Sequence, residues 1–245
     1  MDPWRNNGAS PMPYWKSEDI QQLLEERNPQ RMFEIAVTMS QALGMEYLGL
    51  SLHLHIAAQN PQVILYNNYP REWNEHYRQG NFLTIDPIVS MCHKTLKPQI
   101  WSDELYCEVP HFRESAMRFG ITHGWTQSVF DQRHNESQLS VCRGKRPIKV
   151  KEVYDKASQV MWLCNTLHAA LSEHHLEKLS PTPNLSEREL EVLKWSAGGK
   201  TAADVATILS LSTSTVNFHI RSVINKTNAA NKAGAIAVAF LRGLL

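Results

Sequence analysis

Two prolines one residue apart, in the run Ser180-Pro181-Thr182-Pro183-Asn184, constrain this chain more than any other feature. A proline has no amide hydrogen to give a helix and its ring collides with the preceding turn, so closely spaced prolines impose an extended segment. Before them, Val153, Ala157, Val160, Met161, Leu163, Cys164, Leu167 and Leu171 keep one apolar face through a long amphipathic helix from Lys151 to Leu179. After them, new helix signals begin at Ser186. The expected organisation is therefore a domain over 17–179, a linker over 180–184 and a smaller domain over 185–245. A chain of 245 residues suffices for two cores. Residues 1–16, with Pro3, Pro11, Pro13, Asn6, Asn7 and Gly8, carry no period and read as a flexible arm.

Within the larger part, Ser17 is the expected cap of a first helix with Ile20, Leu23 and Leu24 on one side. Met32, Ile35, Ala36, Met39 and Leu43 predict a second helix, ended by Gly44. Tyr47 to Ile56 and Pro61 to Tyr66 read as strands. A helix follows Pro70 and runs to Gln79, another begins at Asp86-Pro87, and a third spans Val109 to Phe119, stopped by Gly120. Trp101 to Leu105 reads as loop. Gly124 to Phe130 and Ser137 to Arg143 form a strand pair around the turn residues Asp131 to Asn135, which suggests a meander. Helices, then an antiparallel sheet, then helices again make the fold class α+β, an α/β/α sandwich.

Composition excludes several classes. Hydrophobic residues at 42% and charged residues at 20% describe an ordinary globular chain. Its apolar runs are too short to cross a bilayer, and the first residues lack the apolar core of a secretion signal, so a cytoplasmic protein without membrane contact is expected. Cys92, Cys107, Cys142 and Cys164 show neither zinc spacing nor a disulfide framework. His53/His55 and His174/His175 lack the further ligands and shared face that a metal needs. No G-x-S-x-G elbow and no metal-ligand run supply a catalytic centre, so no enzyme, metal or cofactor is expected.

The smaller part has its own logic. Ser186 and Glu189 form a capping box, with Glu187, Glu189 and Glu191 where the helix dipole favours negative charge. Leu190, Leu193 and Ala197 are the expected apolar face, and Gly198-Gly199 ends the helix. Thr201 caps a short second helix carrying Val205, Ala206 and Leu209, and Ser210-Leu211-Ser212 turns into a third. There Val216, Ile220 and Val223 should face inward, leaving Asn217, Phe218, Arg221 and Asn225 outward, a set whose polar members suit base edges and phosphates. Thr213 is the expected cap of this helix, and the free amides of its first turn, at Thr213 and Ser214, suit a phosphate. From Val192 onward, Lys194, Lys200, Arg221, Lys226, Lys232 and Arg242 face the single acid Asp204, an electrostatic footprint for a polyanion. A last helix rich in small residues, Ala233 to Leu241, permits a two-fold contact or completes the small core; both can hold. The expected domain is all-α, with four helices.

The run Leu185-Ser186-Glu187-Arg188-Glu189 to Gly199-Lys200-Thr201, followed by Ile208-Leu209-Ser210 and Thr215-Val216-Asn217-Phe218-His219, resembles the carboxy-terminal domain of LuxR-type quorum-sensing regulators. Response regulators share that domain, but the alternating α/β pattern and clustered acids of a phosphorylatable receiver are missing here. Asn68-Tyr69-Pro70-Arg71-Glu72-Trp73, Tyr77, Asp86-Pro87, Trp101 and Gly124 instead resemble the acyl-homoserine-lactone-binding domain over most of residues 30–175.

The resemblance implies a homodimer that binds an acyl-homoserine lactone in its sensing domain and a palindromic double-stranded DNA operator, with RNA polymerase as a further partner. A regulator that folds without ligand, or answers a different small molecule, is the alternative. The lactone needs donors for two carbonyls, an acceptor for its amide N–H and apolar walls for its tail; indole, phenol and carboxylate can supply these. By resemblance Trp73 would donate to the ring carbonyl, Asp86 would accept the amide, and Tyr69 and Ser140 would donate to the acyl carbonyl. Tyr77 and Trp101 would wall the cavity, and Gly124 would let strands approach. The strand Glu46 to His55, with Thr126 and Ser128, is the expected tail channel. On DNA, Arg221 and Asn217 are the expected base contacts and Lys200 and Thr201 the phosphate contacts.

Overall fold

The computed structural model describes residues 15–55, 62–179 and 182–245. Most of the expected arm, two residues of the expected linker, the end of the first expected strand and Pro61 lie outside these. The arm's last residues are described: Trp15 is buried, donates its indole N–H to the Met39 carbonyl at 2.8 Å and packs on Trp162. Aromatic burial, invisible in a proline-rich run, makes Trp15 part of the core.

In chain order the elements are α1 (Ser17–Glu25), α2 (Pro29–Ala42), β1 (Tyr47–Leu54), β2 (Gln62–Asn67), α3 (Arg71–Gln79), a 3₁₀ turn (Phe82–Thr84), α4 (Pro87–Cys92), β3 (Gln99–Ile100), α5 (Pro110–Arg118), β4 (His123–Phe130), β5 (Glu136–Arg143), α6 (Val150–Leu179), α7 (Glu187–Ala197), α8 (Ala202–Leu209), α9 (Thr213–Thr227) and α10 (Lys232–Leu241). The cap of α1 is Lys16 rather than Ser17, and its backbone N–H donates to the Asp19 carboxylate. Leu24 of α1 and Met161 of α6, expected on apolar faces, are exposed.

The chain forms two compact units. The first holds α1 to α5, most of the sheet and α6 to Ser172; the second holds Glu173–Leu245 with Phe130–Asn135 and the residues where β1 ends and β2 begins. The sheet order is β2-β1-β5-β4-β3, with β3 antiparallel to β4 in the register Gln99↔Thr126 and Ile100↔Trp125. The expected pair β4 and β5 lie side by side, and β5 also lies beside β1, far away in sequence. Burial along β1, β4 and β5 runs through consecutive residues rather than alternating, because helices cover both faces. On one face α6 lays Leu163, Cys164 and Leu167 into the core. Its first turns are fixed by Arg143 of β5, whose guanidinium donates both Nη atoms to Glu152 at 2.8 and 2.7 Å, while Lys156 bonds Glu152 and the Leu43 carbonyl. The other face is closed by α3, α4 and α5 around Trp73, Ile88, Tyr106, Phe112 and Ile121.

The second unit's four short helices pack in two clusters. Val192, Val205, Ala206 and Val216 join α7, α8 and α9, and Leu193, Val223, Ala235 and Ala239 join α7, α9 and α10. The expected face of α7 needs one change: Ala197 is exposed, and Ser196 with Val192 takes the inward position. No helix among the described residues is long and apolar enough to cross a membrane.

Candidate functional site

Between the sheet and α3, α4 and α5 lies a cavity of about 450 Å³. Tyr69, Trp73, Tyr77, Asp86, Trp101 and Ser140, drawn from a loop, both halves of α3, the cap of α4, a strand end and a central strand, all line it. Sequence reasoning brought these six together from positions up to 71 residues apart, and the fold places them on one wall system.

Each is held by identifiable local structure. Trp73 is buried within rings of Tyr77, Phe82, Phe112 and Phe119, with centroids 5.7 to 6.2 Å away. Asp86 is the cap of α4: Oδ1 accepts the Ile88 N–H at 3.0 Å and Oδ2 accepts the Tyr77 hydroxyl at 3.2 Å. Burial raises its carboxyl to about 6 against these two bonds, which favour the charged form. Tyr77 is pushed well up by burial and by the neighbouring Asp86 charge, so it remains a donor at any physiological pH.

Tyr69 reaches the cavity because β1 has a glycine opposite. A Cβ on Gly49 would stand 2.5 Å from the Tyr69 hydroxyl oxygen. That hydroxyl hydrogen-bonds the Cys142 thiol, a weak partner that a carbonyl could replace. Gly124 does what was expected of it, since a Cβ there would come within 2.7 Å of the Val141 carbonyl oxygen and of Cys142 Cβ, and within 2.8 Å of Trp101. Trp101 donates its indole N–H to Thr126 Oγ1 at 3.0 Å, and Thr126 lies 2.9 Å from Ser140 Oγ. Because Thr126 accepts from the indole, its own hydrogen can go to Ser140. Ser140 is then left with a hydrogen to offer the cavity.

Of the expected tail channel, Gly49, Leu50 and Ser51 line the cavity, while Thr126 and Ser128 are buried behind it. Sequence reasoning missed Tyr106, Gln138 and Arg113, which also line it. Arg113 carried no signal: on a helix face an arginine reads as a solvated residue.

In the second unit, Asn217, Phe218, Arg221 and Asn225 are exposed on one face of α9, as their helical spacing demands. Phe218 is 67% exposed, unusual for its type. The cap of α9 is Ser212, whose Oγ accepts the Thr215 N–H at 3.0 Å; Thr213 is the first helical residue. Both residue types cap well, so the sequence signal was blind to a shift of one. Thr213 and Ser214 stay exposed at this terminus, and Ser214 Oγ lies 2.7 Å from Ser212 Oγ. Lys200 and Thr201 are exposed, but the Thr201 hydroxyl is engaged in capping α8, donating to Asp204 at 2.7 Å.

Glu189 links α7 to α9. Its carboxylate accepts from the Ser186 N–H at 2.7 Å, the Ser222 hydroxyl at 2.6 Å and the Lys226 ammonium at 2.8 Å. Burial opposes its charge, yet the Lys226, Ser222 and Ser186 hydrogen bonds outweigh that and bring the carboxyl down to about 2.

Known proteins match this arrangement throughout. Residues 28–171 match the autoinducer binding domain family, and residues 183–239 match the luxR family of bacterial regulatory proteins. The transcriptional activator protein AnoR of Acinetobacter nosocomialis is 30% identical over 96% of this chain and 100% of its own. The HTH-type quorum-sensing regulator RhlR of Pseudomonas aeruginosa is 30% identical over 88% of this chain and 90% of its own. Among solved structures, Escherichia coli SdiA superposes with a TM-score of 0.77 at 29% identity, covering 92% of this chain and 95% of SdiA. SdiA in complex with octanoyl-rac-glycerol gives 0.75 at 31% identity, over 92% and 94%.

Proposed function

Because the chain belongs to the luxR family of bacterial regulatory proteins and carries that family's autoinducer-binding domain, we propose that it is a dimeric transcriptional regulator switched by an acyl-homoserine lactone. The observation that carries this reading is the Asp86 carboxylate, set in a cavity among the indoles of Trp73 and Trp101, the phenols of Tyr69 and Tyr77 and the Ser140 hydroxyl. The volume is in the range of small-molecule sites. The amide N–H of the ligand donates to Asp86, its ring carbonyl accepts from Trp73, and its acyl carbonyl accepts from Tyr69 and Ser140. The tail runs along Gly49 to Ser51, past Leu65 and Leu83.

Ligand that binds only the folded chain stabilises it by mass action, so the concentration of a diffusible molecule sets the amount of active regulator. Domains over 17–179 and 185–245 divide the work of sensing and binding. In the dimer two copies of α9 enter successive major grooves of a palindromic operator, with Arg221 and Asn217 on base edges and Lys200, Thr201, Thr213 and Ser214 near phosphates. Phe218 and Asn225 complete that face, and RNA polymerase reads the bound dimer.

The test is to express the full chain beside a panel of acyl-homoserine lactones and identify copurifying small molecules by mass spectrometry. Recovery of one lactone with increased soluble yield is the expected result. A chain that is soluble, binds its operator and carries no acylated molecule under every condition overturns the reading. A second reading, a different polar-headed acyl ligand, draws on the similarity to SdiA in complex with octanoyl-rac-glycerol, an acyl compound without an amide.

A further inference from the structure

Arg113 of α5 lines the cavity and takes no part in the ligand contacts assigned above. Only 9% of it is exposed, although arginines on helices mostly reach into water. Its guanidinium carbon sits 4.8 Å from the centre of the Tyr106 ring. Tyr106 packs on Phe112, and Phe112 packs on Trp73, each pair 5.9 Å between centroids. The guanidinium thus belongs with the aromatic cluster that holds the Trp73 indole, the end of the cavity where the lactone ring goes, and not with Gly49 to Ser51 along the tail.

The charge of Arg113 is already answered, whereas its hydrogens are not. The face of the Tyr106 ring takes the cation, and Asp103 lies 3.7 Å from Nη2, close enough for attraction and too far for a hydrogen bond. The Nε–H is fully buried and meets no acceptor among the described residues. A buried donor without a partner costs the fold free energy until an acceptor arrives. What this end of the cavity lacks is therefore an oxygen with a spare lone pair, not an anion. The ring carbonyl of a homoserine lactone is such an oxygen: it has two lone pairs, and the Trp73 indole, with its single N–H, fills one of them.

We propose that Arg113 is a second donor to the lactone ring and sets the head-group specificity of this cavity, its guanidinium and the Trp73 indole sharing the ring carbonyl. A ring without that carbonyl leaves both donors unpaired, and a site built around hydrogen-bond donors rejects most strongly the analogue that lacks the acceptor. The inference rests on the reading of the cavity as an acyl-homoserine-lactone site, and it deepens that reading by naming the residue that tells the lactone from other five-membered heads.

The experiment titrates the full-length chain with N-acyl-homoserine lactones of short, medium and long chain, each matched with the N-acyl-cyclopentylamine of equal chain length, which keeps the amide and the ring size but has no ring oxygen. The wild-type chain should prefer the lactone roughly a hundredfold or more, since two donors lose their acceptor in the analogue. Trp73→Phe removes the indole donor and should keep a preference of roughly tenfold, because Arg113 remains. Arg113→Met should weaken the lactone roughly tenfold while changing the cyclopentylamine less than about threefold, and Arg113→Lys, a donor of different reach, should fall between. Equal binding of the two ligands by Trp73→Phe or by the wild-type chain overturns this inference and leaves an acyl-amide sensor standing. Equal loss of both ligands in Arg113→Met also overturns it, since the residue would then serve packing alone. If one of these variants fails to fold, the other decides. Binding of neither ligand by the wild-type chain at any chain length overturns the sensor reading, and this inference falls with it.

Discussion

Replacing Asp86 with Asn removes a charge from the cavity wall while preserving shape, and its two consequences have opposite signs. The carboxyl sits at about 6 against an ordinary 3.8, because burial penalises its ionised form. At neutral pH that gap costs the fold on the order of 3 kcal/mol. Asn Oδ1 can still cap α4 by accepting the Ile88 N–H, so Asp86→Asn should stabilise the chain without ligand by about 1–3 kcal/mol. The pH dependence follows from the raised value. The cost is absent below about 4, grows as pH climbs toward 6 and is complete above it, so wild type loses stability over that window and the variant does not.

Ligand binding moves the other way. An amide donor facing a carboxylate contributes about 1.5–3 kcal/mol, so the substitution should weaken binding roughly ten- to a hundred-fold. Urea denaturation across pH 4 to 8 reads the first effect, and calorimetric titration with the best-binding acyl ligand reads the second. A variant that is less stable than wild type at neutral pH, or that binds ligand equally well, refutes the assignment of Asp86 as a desolvated acceptor.

Other substitutions test separate parts of the argument. Ser140→Ala should cost about 1 kcal/mol of ligand affinity, a roughly fivefold rise in Kd with stability little changed. Gly124→Ala places a methyl against the Val141 carbonyl and Cys142, and denaturant midpoints should report a loss of about 1–3 kcal/mol. Glu189→Gln should loosen α9 by about 1.5–3 kcal/mol, seen as faster amide exchange in Val216 to Val223. The wild-type carboxyl is depressed to about 2, so its contribution is whole above about 4.5 and fades as pH falls toward 2. Arg221→Ala should lower discrimination between operator and random DNA by about 1–3 kcal/mol in competition binding, with ligand titrations unchanged.

Local chemistry made much of this molecule readable. The caps at Ser186 and Thr201, the turn at Asp131 to Asn135 and the outward face of α9 follow from short-range rules that the finished fold obeys. The six cavity residues were found because a donor and acceptor pattern recurred at a familiar spacing, not because any one of them is unusual. Long-range features escaped. Nothing near β1 or β5 says that they pair, and Trp15 finds its place only through contacts with Met39 and Trp162. Buried polar groups escaped for a related reason: Ser196, Glu189 and Arg113 look solvated in sequence, and only the surrounding packing shows that they are not.

The Glu189 carboxylate ties together things that the sequence keeps apart. It grips the amide of Ser186, where the chain enters α7, and it also grips Ser222 and Lys226 in the second half of α9. A pull on the chain at Ser186 is therefore passed through a single carboxylate to α9, and the seating of that exposed helix depends on how the chain enters α7.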